Sequence, residues 1–414
     1  MNDLTALALD GLIFVGLAWT AWRVLRRSIP IAVIPIIIGL LLAATGVLPA
    51  SWGVPSKLGD QVGFLGVLLL AFTAGLETRH SAHLPGAPTA APLPRAQALR
   101  FLASAGMALL LPFVAGTLAA HYYFTGLPGW QAPKGGAWMG ALAIGLCIAV
   151  SALPVLIGII RELGPPHRPL TQIALRIAVI DDAVLWTGLA LLLLAAEGGS
   201  LLARASPLTA VAVGMLVVLA FAGQLAQRAR VAPPAWAVWI TLPLFLLAGA
   251  WASSQLGLHA LLGAYFGGAM VPPAWSRRVP VERLGPFALI GLAPLFFGHS
   301  GLKIDGSVLG WASLQASLAL LVVAVAAKLV AMLACPPSSA LSRRDALAVG
   351  ALLQCKGLME IVAATILRDK GLLSEHAFAA LVTLAVLSTL LTGPFFRALA
   401  RPGATADAHG RQTV

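Results

Sequence analysis

Long apolar segments alternate with short polar segments along the whole chain. The apolar runs, such as LLLPFVAGTLAA, do not alternate between polar and apolar residues as strands of a membrane barrel would. A membrane-spanning helix needs roughly 20 mostly apolar residues. The pattern predicts thirteen such segments, and the protein is therefore expected to be an all-α polytopic membrane protein. The predicted spans are 5–24, 29–49, 61–78, 98–121, 136–160, 168–195, 207–226, 234–255, 257–273, 285–302, 309–335, 345–367 and 376–397.

The composition excludes a water-soluble protein and a disordered one. Hydrophobic residues make up 59% of the 414 residues, charged residues make up only 10%, and the mean hydropathy is +0.92. A soluble domain would carry about 25% charged residues. The net charge of +12 would suggest nucleic acid as a partner of a soluble protein. No cluster of Lys and Arg is interleaved with aromatic residues, so no nucleic-acid partner is expected here.

The 27 Lys and Arg residues are distributed unevenly between the two sides of the predicted bundle. Eighteen follow odd-numbered spans or lie in the C-terminal tail, six lie on the opposite side, and three lie inside spans. Loops rich in Lys and Arg usually face the cytoplasm. The distribution therefore predicts an external N-terminus and a cytoplasmic C-terminus.

Charged residues inside spans need an explanation, because each costs at least about 2.5–3.5 kcal/mol on insertion scales. Asp181 and Asp182 lie near the middle of the sixth span, in RIAVIDDAVLW. Adjacent helical residues project about 100° apart, so both carboxylates can line one cavity. Such a pair titrates as a unit in a low dielectric, which suits the exchange of protons for a transported monovalent cation. The alternatives are a polar clamp between helices and a loop mistaken for a span. Lys328, in the eleventh span, is expected to pair with a carboxylate.

Two spans contain signals of an interruption. In the fifth span, Pro154 removes a backbone donor one turn after Ser151, which is compatible with a broken helix or with an ordinary proline kink. In the twelfth span, Gly357 follows Lys356 and precedes Glu360. Lys356 and Glu360 have the spacing of a helical ion pair, and direct ligation of an ion by Glu360 is the alternative.

Other polar residues have simpler interpretations. Asp10 is expected at a helix contact or at the interface, and His299 is expected to be a hydrogen-bonded packing residue. The sequence leaves open whether Arg176 pairs with a carboxylate or reaches the cytoplasmic interface. The three cysteines and eight histidines have no zinc-site spacing, and no cofactor is predicted.

Five segments, in this order, resemble the monovalent cation:proton antiporter-2 family of sodium/hydrogen exchangers: SALPVLIGIIRELG, IDDAVLW, APLFFGHSGLKID, AAKLVAML and CKGLMEIVAATI. The resemblance runs over most of the chain. It implies an inverted-repeat antiporter fold in which the fifth and twelfth spans are broken helices that cross at the midplane. It also implies that Asp182 is the principal carrier of cation and proton. By the same resemblance, Asp181 pairs with Lys328, and Ser151 lies near the ion.

The resemblance further implies a division of the chain into a scaffold and a moving core. Residues 1–97 would form the first scaffold and dimerisation helices, and residues 98–196 the first half of the transport core. Residues 197–304 would form a linker and further scaffold helices, and residues 305–397 the second half of the core. Residues 398–414 would form a short cytoplasmic tail. A homodimer in the lipid bilayer of a bacterial inner membrane is expected.

The function expected from the residues and the resemblance together is secondary antiport of Na+ or K+ against protons. Exchange is expected to be electrogenic, because Asp181 and Lys328 add a charged pair to the carrier Asp182. The alternative is a proton-coupled carrier of a small organic anion on a related fold. An intramembrane enzyme is not expected, because the sequence has no HExxH motif and no histidine cluster.

Overall fold

A computed structural model describes residues 3–25, 31, 33–80, 95–163, 167–196, 207–228, 233–276 and 281–400. Within these ranges all regular structure is helical. The predicted tail after residue 400 and many of the basic loop residues lie outside them.

The described helices follow the predicted spans closely. Two short turns, Ala50–Trp52 and Pro273–Ser276, lie between them. We number the main helices in chain order: α1 Asp3–Val24, α2 Ile34–Thr45, α3 Lys57–His80, α4 Arg95–Phe124, α5 Gly136–Ala149, α6 Leu153–Leu163, α7 Arg168–Ala196, α8 Pro207–Arg228, α9 Ala235–Gln255, α10 Ala260–Met270, α11 Val281–Phe287 continuing through Ala288–Leu292 and Ala293–Leu302, α12 Trp311–Ala334, α13 Arg343–Leu352, α14 Leu358–Asp369 and α15 Glu375–Leu399.

The expectation of an all-helical membrane architecture is confirmed. Nine helices in the described ranges are long and apolar enough to cross a bilayer, and α2, α5 and α10 are shorter apolar helices. The fifth predicted span consists of α5 and α6, and the twelfth consists of α13 and α14. Each of these two spans is therefore interrupted between two short helices, while the total of thirteen crossings stays a prediction.

The helices pack in two groups. In one group, α10 packs against α3 and α9, and α11 packs against α2 and α3. In the other, α4 packs against α5 and α12, and α15 packs against α12, α13 and α14. Helix α7 contacts α5, α6 and α13 of the second group, and it also contacts α3 and α10 of the first. The helix that carries both central aspartates therefore lies at the boundary between the groups.

Helix α10 is held between α3 and α9 by direct backbone contact on two sides. A methyl group added at Gly263 would collide with the carbonyl oxygen of Gly249 on α9. One added at Gly268 would collide with the carbonyl oxygen of Phe72 on α3. Small residues permit this close approach, which matters in lipid because helix association there depends on van der Waals packing.

A polar cluster joins α1, α3 and α11 within the first group. Asp10 is fully buried and accepts hydrogen bonds from the backbone N–H of Ser56, at 3.0 Å, and from its hydroxyl. The ring of His299 lies between Asp10 Oδ1, at 3.1 Å, and Asp60 Oδ1, at 2.9 Å. Lys303 Nζ lies 2.9 Å from the same oxygen of Asp60. The predictions of a helix-contact role for Asp10 and of a hydrogen-bonded packing histidine at 299 are confirmed.

We expect Gly263→Ala to lower the thermal stability of the purified protein, by about 1–3 kcal/mol, because overpacking at a backbone contact forces α9 and α10 apart. The measurement is thermal unfolding in detergent, followed by intrinsic fluorescence. Gly106→Ala on α4 is the matched control, since an added methyl group there meets no atom within 4 Å. Equal stability of the two variants would contradict the packing described for α10.

Candidate functional site

The two interrupted spans meet at their breaks. Helix α5 ends at Ala149 and α6 begins at Leu153, while α13 ends at Leu352 and α14 begins at Leu358. The backbone N–H of Ala152 donates to the carbonyl of Cys355 at 2.8 Å, so the two non-helical segments touch directly. Each break leaves one C-terminal and one N-terminal helix end in the interior of the bundle. Their free backbone N–H and C=O groups need hydrogen-bond partners from the protein itself.

The two residues that signalled the breaks, Pro154 and Gly357, lie at the N-termini of the helices that follow the breaks. Pro154 is the second residue of α6, where the missing N–H and the fixed φ of proline favour a helix start. Of the two alternatives for the fifth span, the broken helix is therefore the one observed, and the kink in a continuous helix is not. Gly357 occupies the N-cap position of α14.

Two buried lysines bind the carbonyl groups at the C-terminal end of α5. Lys356 Nζ donates to the carbonyl of Val150 at 2.6 Å and also to that of Ile148. Lys328 Nζ donates to the carbonyl of Ala149 at 2.7 Å. This end of a helix carries the negative end of the macrodipole, so both ammonium groups are stabilised there.

The predicted helical ion pair between Lys356 and Glu360 is wrong. Lys356 lies in the break, before α14 begins, and its ammonium points to the carbonyls of α5. Glu360 lies in the first turn of α14, near the positive end of the helix, and is 2% exposed. Neither of its carboxylate oxygens accepts a hydrogen bond from a described residue. The spacing rule failed because it assumes one continuous helix, and the helix is interrupted here.

Carbonyl groups at the second break are bound by side chains from other helices. The hydroxyls of Ser388 and Thr389 on α15 donate to the carbonyls of Gln354 and Lys356, respectively. Ser388 Oγ also accepts from the backbone N–H of Lys356 at 3.1 Å. The Gln354 amide donates to the carbonyl of Ala324 on α12 at 3.1 Å. Sequence reasoning assigned no role to these residues; their polarity within otherwise apolar spans was the available signal.

Asp181, Lys328 and Ser151 form one buried cluster, and all three are fully buried. Asp181 Oδ2 lies 3.2 Å from Lys328 Nζ and 2.6 Å from Ser151 Oγ. Lys328 Nζ also donates to Ser151 Oγ at 2.7 Å. The Ser151 hydroxyl lies 2.7 Å from the carbonyl of Leu353, so its one proton can go to that oxygen or to Asp181. The structure thus brings together three residues that the sequence placed on three different spans.

Oxygen atoms remain available at this cluster for a further positive charge. Asp181 Oδ1 is buried and accepts no hydrogen bond from a described residue. Asp182 follows it on α7 and is 2% exposed. Arg176, five residues before Asp181, forms no ion pair with a described residue and lies outside the cluster. In the described part of the chain no group of three His, Cys, Asp or Glu side chains could hold a resident metal ion.

Comparisons with known proteins agree with this architecture. The family profile described as "Sodium/hydrogen exchanger, transmembrane" matches residues 11–401. Cation/H(+) antiporter 20 of Arabidopsis thaliana is 29% identical over 85% of this chain, which spans only 42% of that longer protein. The Na(+)/H(+)-K(+) antiporter GerN of Bacillus cereus is 25% identical over 88% of this chain and 89% of its own length.

A solved structure shares the fold. The sodium proton antiporter MjNhaP1 of Methanocaldococcus jannaschii superposes with a TM-score of 0.58 over 96% of this chain and 99% of its own, at 16% identity. This likeness, together with the two breaks in contact, bears out the expected antiporter fold.

We expect strong energetic coupling between Lys328 and Asp181, because removal of either leaves the other as an uncompensated buried charge. A double-mutant cycle of Lys328→Ala and Asp181→Asn, measured by thermal stability in detergent, should give a coupling free energy of about 0.5–3 kcal/mol.

The matched control is the same cycle on Lys303 and Asp60, whose side chains are 45% and 43% exposed at a similar distance. Exposed pairs contribute about 0–1 kcal/mol. Additive effects of the Lys328 and Asp181 substitutions would show that the two charges do not depend on each other.

Proposed function

We propose, since the chain belongs to the sodium/hydrogen exchanger family, that it is a secondary antiporter exchanging a monovalent cation, Na+ or K+, for protons. The observation that carries the proposal is the buried Asp181–Lys328–Ser151 cluster, with Asp182 beside it, at the contact of two broken helices. An intramembrane carboxylate pair with one ammonium partner suits the alternate binding of a cation and of protons.

Asp182 is the principal carrier in this proposal. The open oxygen of Asp181, beside Ser151, supplies a further ligand, and hard cations are bound by oxygen. Protons and the cation compete for the same carboxylates. Competition at one site enforces exchange, because the site can return across the membrane only when it is occupied by the cation or by protons.

Alternating access would move the second group of helices against the first. The boundary follows α7, where the Trp186 ring stacks on the Tyr265 ring of α10 at a centroid distance of 5.2 Å. Flat aromatic contact permits sliding better than interdigitated side chains would. The first group would be the scaffold of a homodimer, and the moving group would carry the ion site from one side of the bilayer to the other.

An organic anion is a poorer substrate for this site. Such a substrate needs a cationic group to bind its carboxylate, and the ammonium groups of Lys328 and Lys356 already donate to carbonyl groups of α5. The additional carboxylates of Asp181, Asp182 and Glu360 would repel it. Saturable uptake of a labelled organic acid driven by a proton gradient would favour that alternative.

The N-terminus would lie outside and the C-terminus in the cytoplasm of a bacterial inner membrane. The uneven distribution of basic residues supports this orientation. On a cysteine-free background, a single cysteine in the 277–283 loop should react with an impermeant thiol reagent only after the membrane is opened. Reaction in intact cells would reverse the proposed orientation.

We expect Asp182→Asn to abolish exchange and to leave the fold intact, because the amide keeps the shape and loses the charge that both substrates need. The assay is dequenching of a pH-sensitive dye in proteoliposomes on addition of Na+ or K+. Asp305→Asn is the control, since this aspartate lies in the exposed loop after α11 and outside the site. Cation-dependent dequenching of normal size in Asp182→Asn would remove this residue as the carrier.

We expect the exchange to be electrogenic. In the proton-loaded site, Asp182 is protonated and Asp181 pairs with protonated Lys328, so these three groups sum to zero. If cation binding displaces both protons, the loaded site carries one negative charge and two protons move for each cation. A membrane potential should then bias transport by about 2.3 kcal/mol per charge for 100 mV. Proteoliposomes with a valinomycin-set potential and Na+ as the exchanged ion test this expectation.

Asp181→Asn should weaken the voltage dependence, because it removes the partner of the second proton carrier. Its protein yield must be measured in parallel, since Lys328 loses its carboxylate. Rates and end-points that do not respond to reversal of the potential would establish electroneutral exchange instead.

A further inference from the structure

A cavity lies beside the proposed transport core, away from the aspartate pair. It measures about 310 Å³, is open on one side, and is lined by the first turns of α4, the first turns of α7 and the loop between α12 and α13. By the proposed orientation these three parts of the chain all lie on the cytoplasmic side. The cavity is too large for a single bound water, which occupies about 30 Å³ in the liquid.

The lining of the cavity is positively charged. Arg100 of α4 and Arg176 of α7 both line it, and no carboxylate belongs to the described lining. Arg100 Nε donates to the carbonyl of Pro336 at 3.2 Å, which fixes the arginine and leaves its terminal N–H groups for another acceptor. Arg176 is partly buried and makes no hydrogen bond or ion pair with a described residue.

Neutral donors and helix dipoles add to these charges. The side chains of Gln97, Gln172 and Ser339 also line the cavity. The cavity is lined by residues from the first three turns of α4 and α7, whose N-terminal ends carry the positive ends of the helix dipoles. A cation approaching the aspartate pair would be repelled here, so the charge of this cavity suits an anion better than a cation.

We propose that this cavity is a regulatory site for a phosphate-bearing anion, which Arg100 and Arg176 bind together. Guanidinium groups match phosphate oxygens in paired hydrogen bonds, and the amide and hydroxyl donors satisfy the remaining oxygens. The phosphate belongs either to an acidic phospholipid headgroup or to a soluble phosphate ester. The inference adds a regulator to the proposed exchange and does not depend on which cation is carried.

The position of Arg176 connects this site to the transport site. Arg176 precedes Asp181 by five residues on α7, which is about 7.5 Å along the helix axis. Its positive charge, which no side chain in the described ranges pairs with, disfavours a cation at the aspartates. A phosphate bound to Arg176 removes that repulsion, so the occupied site should have a several-fold lower KM for the transported cation.

Binding is tested on the full-length protein without reference to transport. The soluble probe is sn-glycerol 3-phosphate in detergent, compared with chloride at equal ionic strength by thermal shift and calorimetry. The lipid probe is phosphatidylglycerol, compared with phosphatidylcholine by native mass spectrometry. A thermal shift or a heat of binding with sn-glycerol 3-phosphate identifies a free phosphate ester as the ligand. Retention of phosphatidylglycerol without any effect of the soluble probe identifies a lipid headgroup. A response to neither overturns the proposal.

Variants separate the cavity from general surface charge. Arg176→Gln should weaken binding of the active probe about tenfold or more, while Arg228→Gln, an exposed arginine at the end of α8, should leave it unchanged. Ser339→Asp adds a carboxylate at an exposed position of the lining, and it should weaken binding even if Arg176→Gln folds poorly. Equal weakening by Arg228→Gln would mean nonspecific attraction and would overturn the site.

Transport provides the second readout. Arg176→Gln should lower the cation KM in the absence of the probe and remove the response to it, because the substitution itself abolishes the repulsion. A purely structural role for Arg176 would instead lower the rate with no change in the response to phosphate. If exchange is absent in the wild type but the probe still binds, the proposed function fails and the anion site stands.

Discussion

The rest of this structure depends on one constraint: backbone groups freed in the middle of the bundle must find partners without water. Both breaks meet this constraint with side chains. The carbonyls at the end of α5 accept from two ammonium groups, and those at the end of α13 accept from hydroxyls and from the backbone of the opposite break. An unsatisfied backbone group in lipid costs several kcal/mol, so removal of these side chains would favour continuous helices over the crossing.

Two polar clusters in the same molecule differ in burial, and the difference distinguishes the proposed ion site from a structural contact. The cluster of Asp10, His299, Asp60 and Lys303 joins three helices of the first group, and its outer members are nearly half exposed. Water screens that outer pair, and its strength should change little with occupancy by an ion. The cluster at Asp181 and Lys328 is fully buried, so any change of charge there alters the energy of the whole site.

The sequence was sufficient to predict the spans and the central charges, for a physical reason. A charge in lipid is so costly that Lys328 was expected to pair with a carboxylate, and the family resemblance named Asp181 as that carboxylate. The partners of Lys356, Ser388 and Thr389 could not be predicted, because each contact crosses between spans far apart in the chain. The contact of Gly263 with α9 was missed for a related reason: a glycine in a helix looks the same in sequence whether or not another backbone touches it.

Because Lys356 binds carbonyl groups of α5, its positive charge contributes to the electrostatics of the proposed ion site. If Lys356 were paired with Glu360, both charges would be confined to α14 and would contribute little at the aspartates. Bound to the end of α5, the ammonium lies instead on the same break as Ser151 and Lys328. Two positive charges then lie near Asp181, whose open oxygen is a further ligand of the ion in the proposed mechanism. A divalent cation would meet stronger repulsion from these lysines than a monovalent one, since the repulsion scales with its charge. Attraction to the carboxylates of Asp181 and Asp182 scales with the charge of the ion in the same way, so the lysines lower the net negative charge of the proposed site without by themselves selecting a monovalent cation.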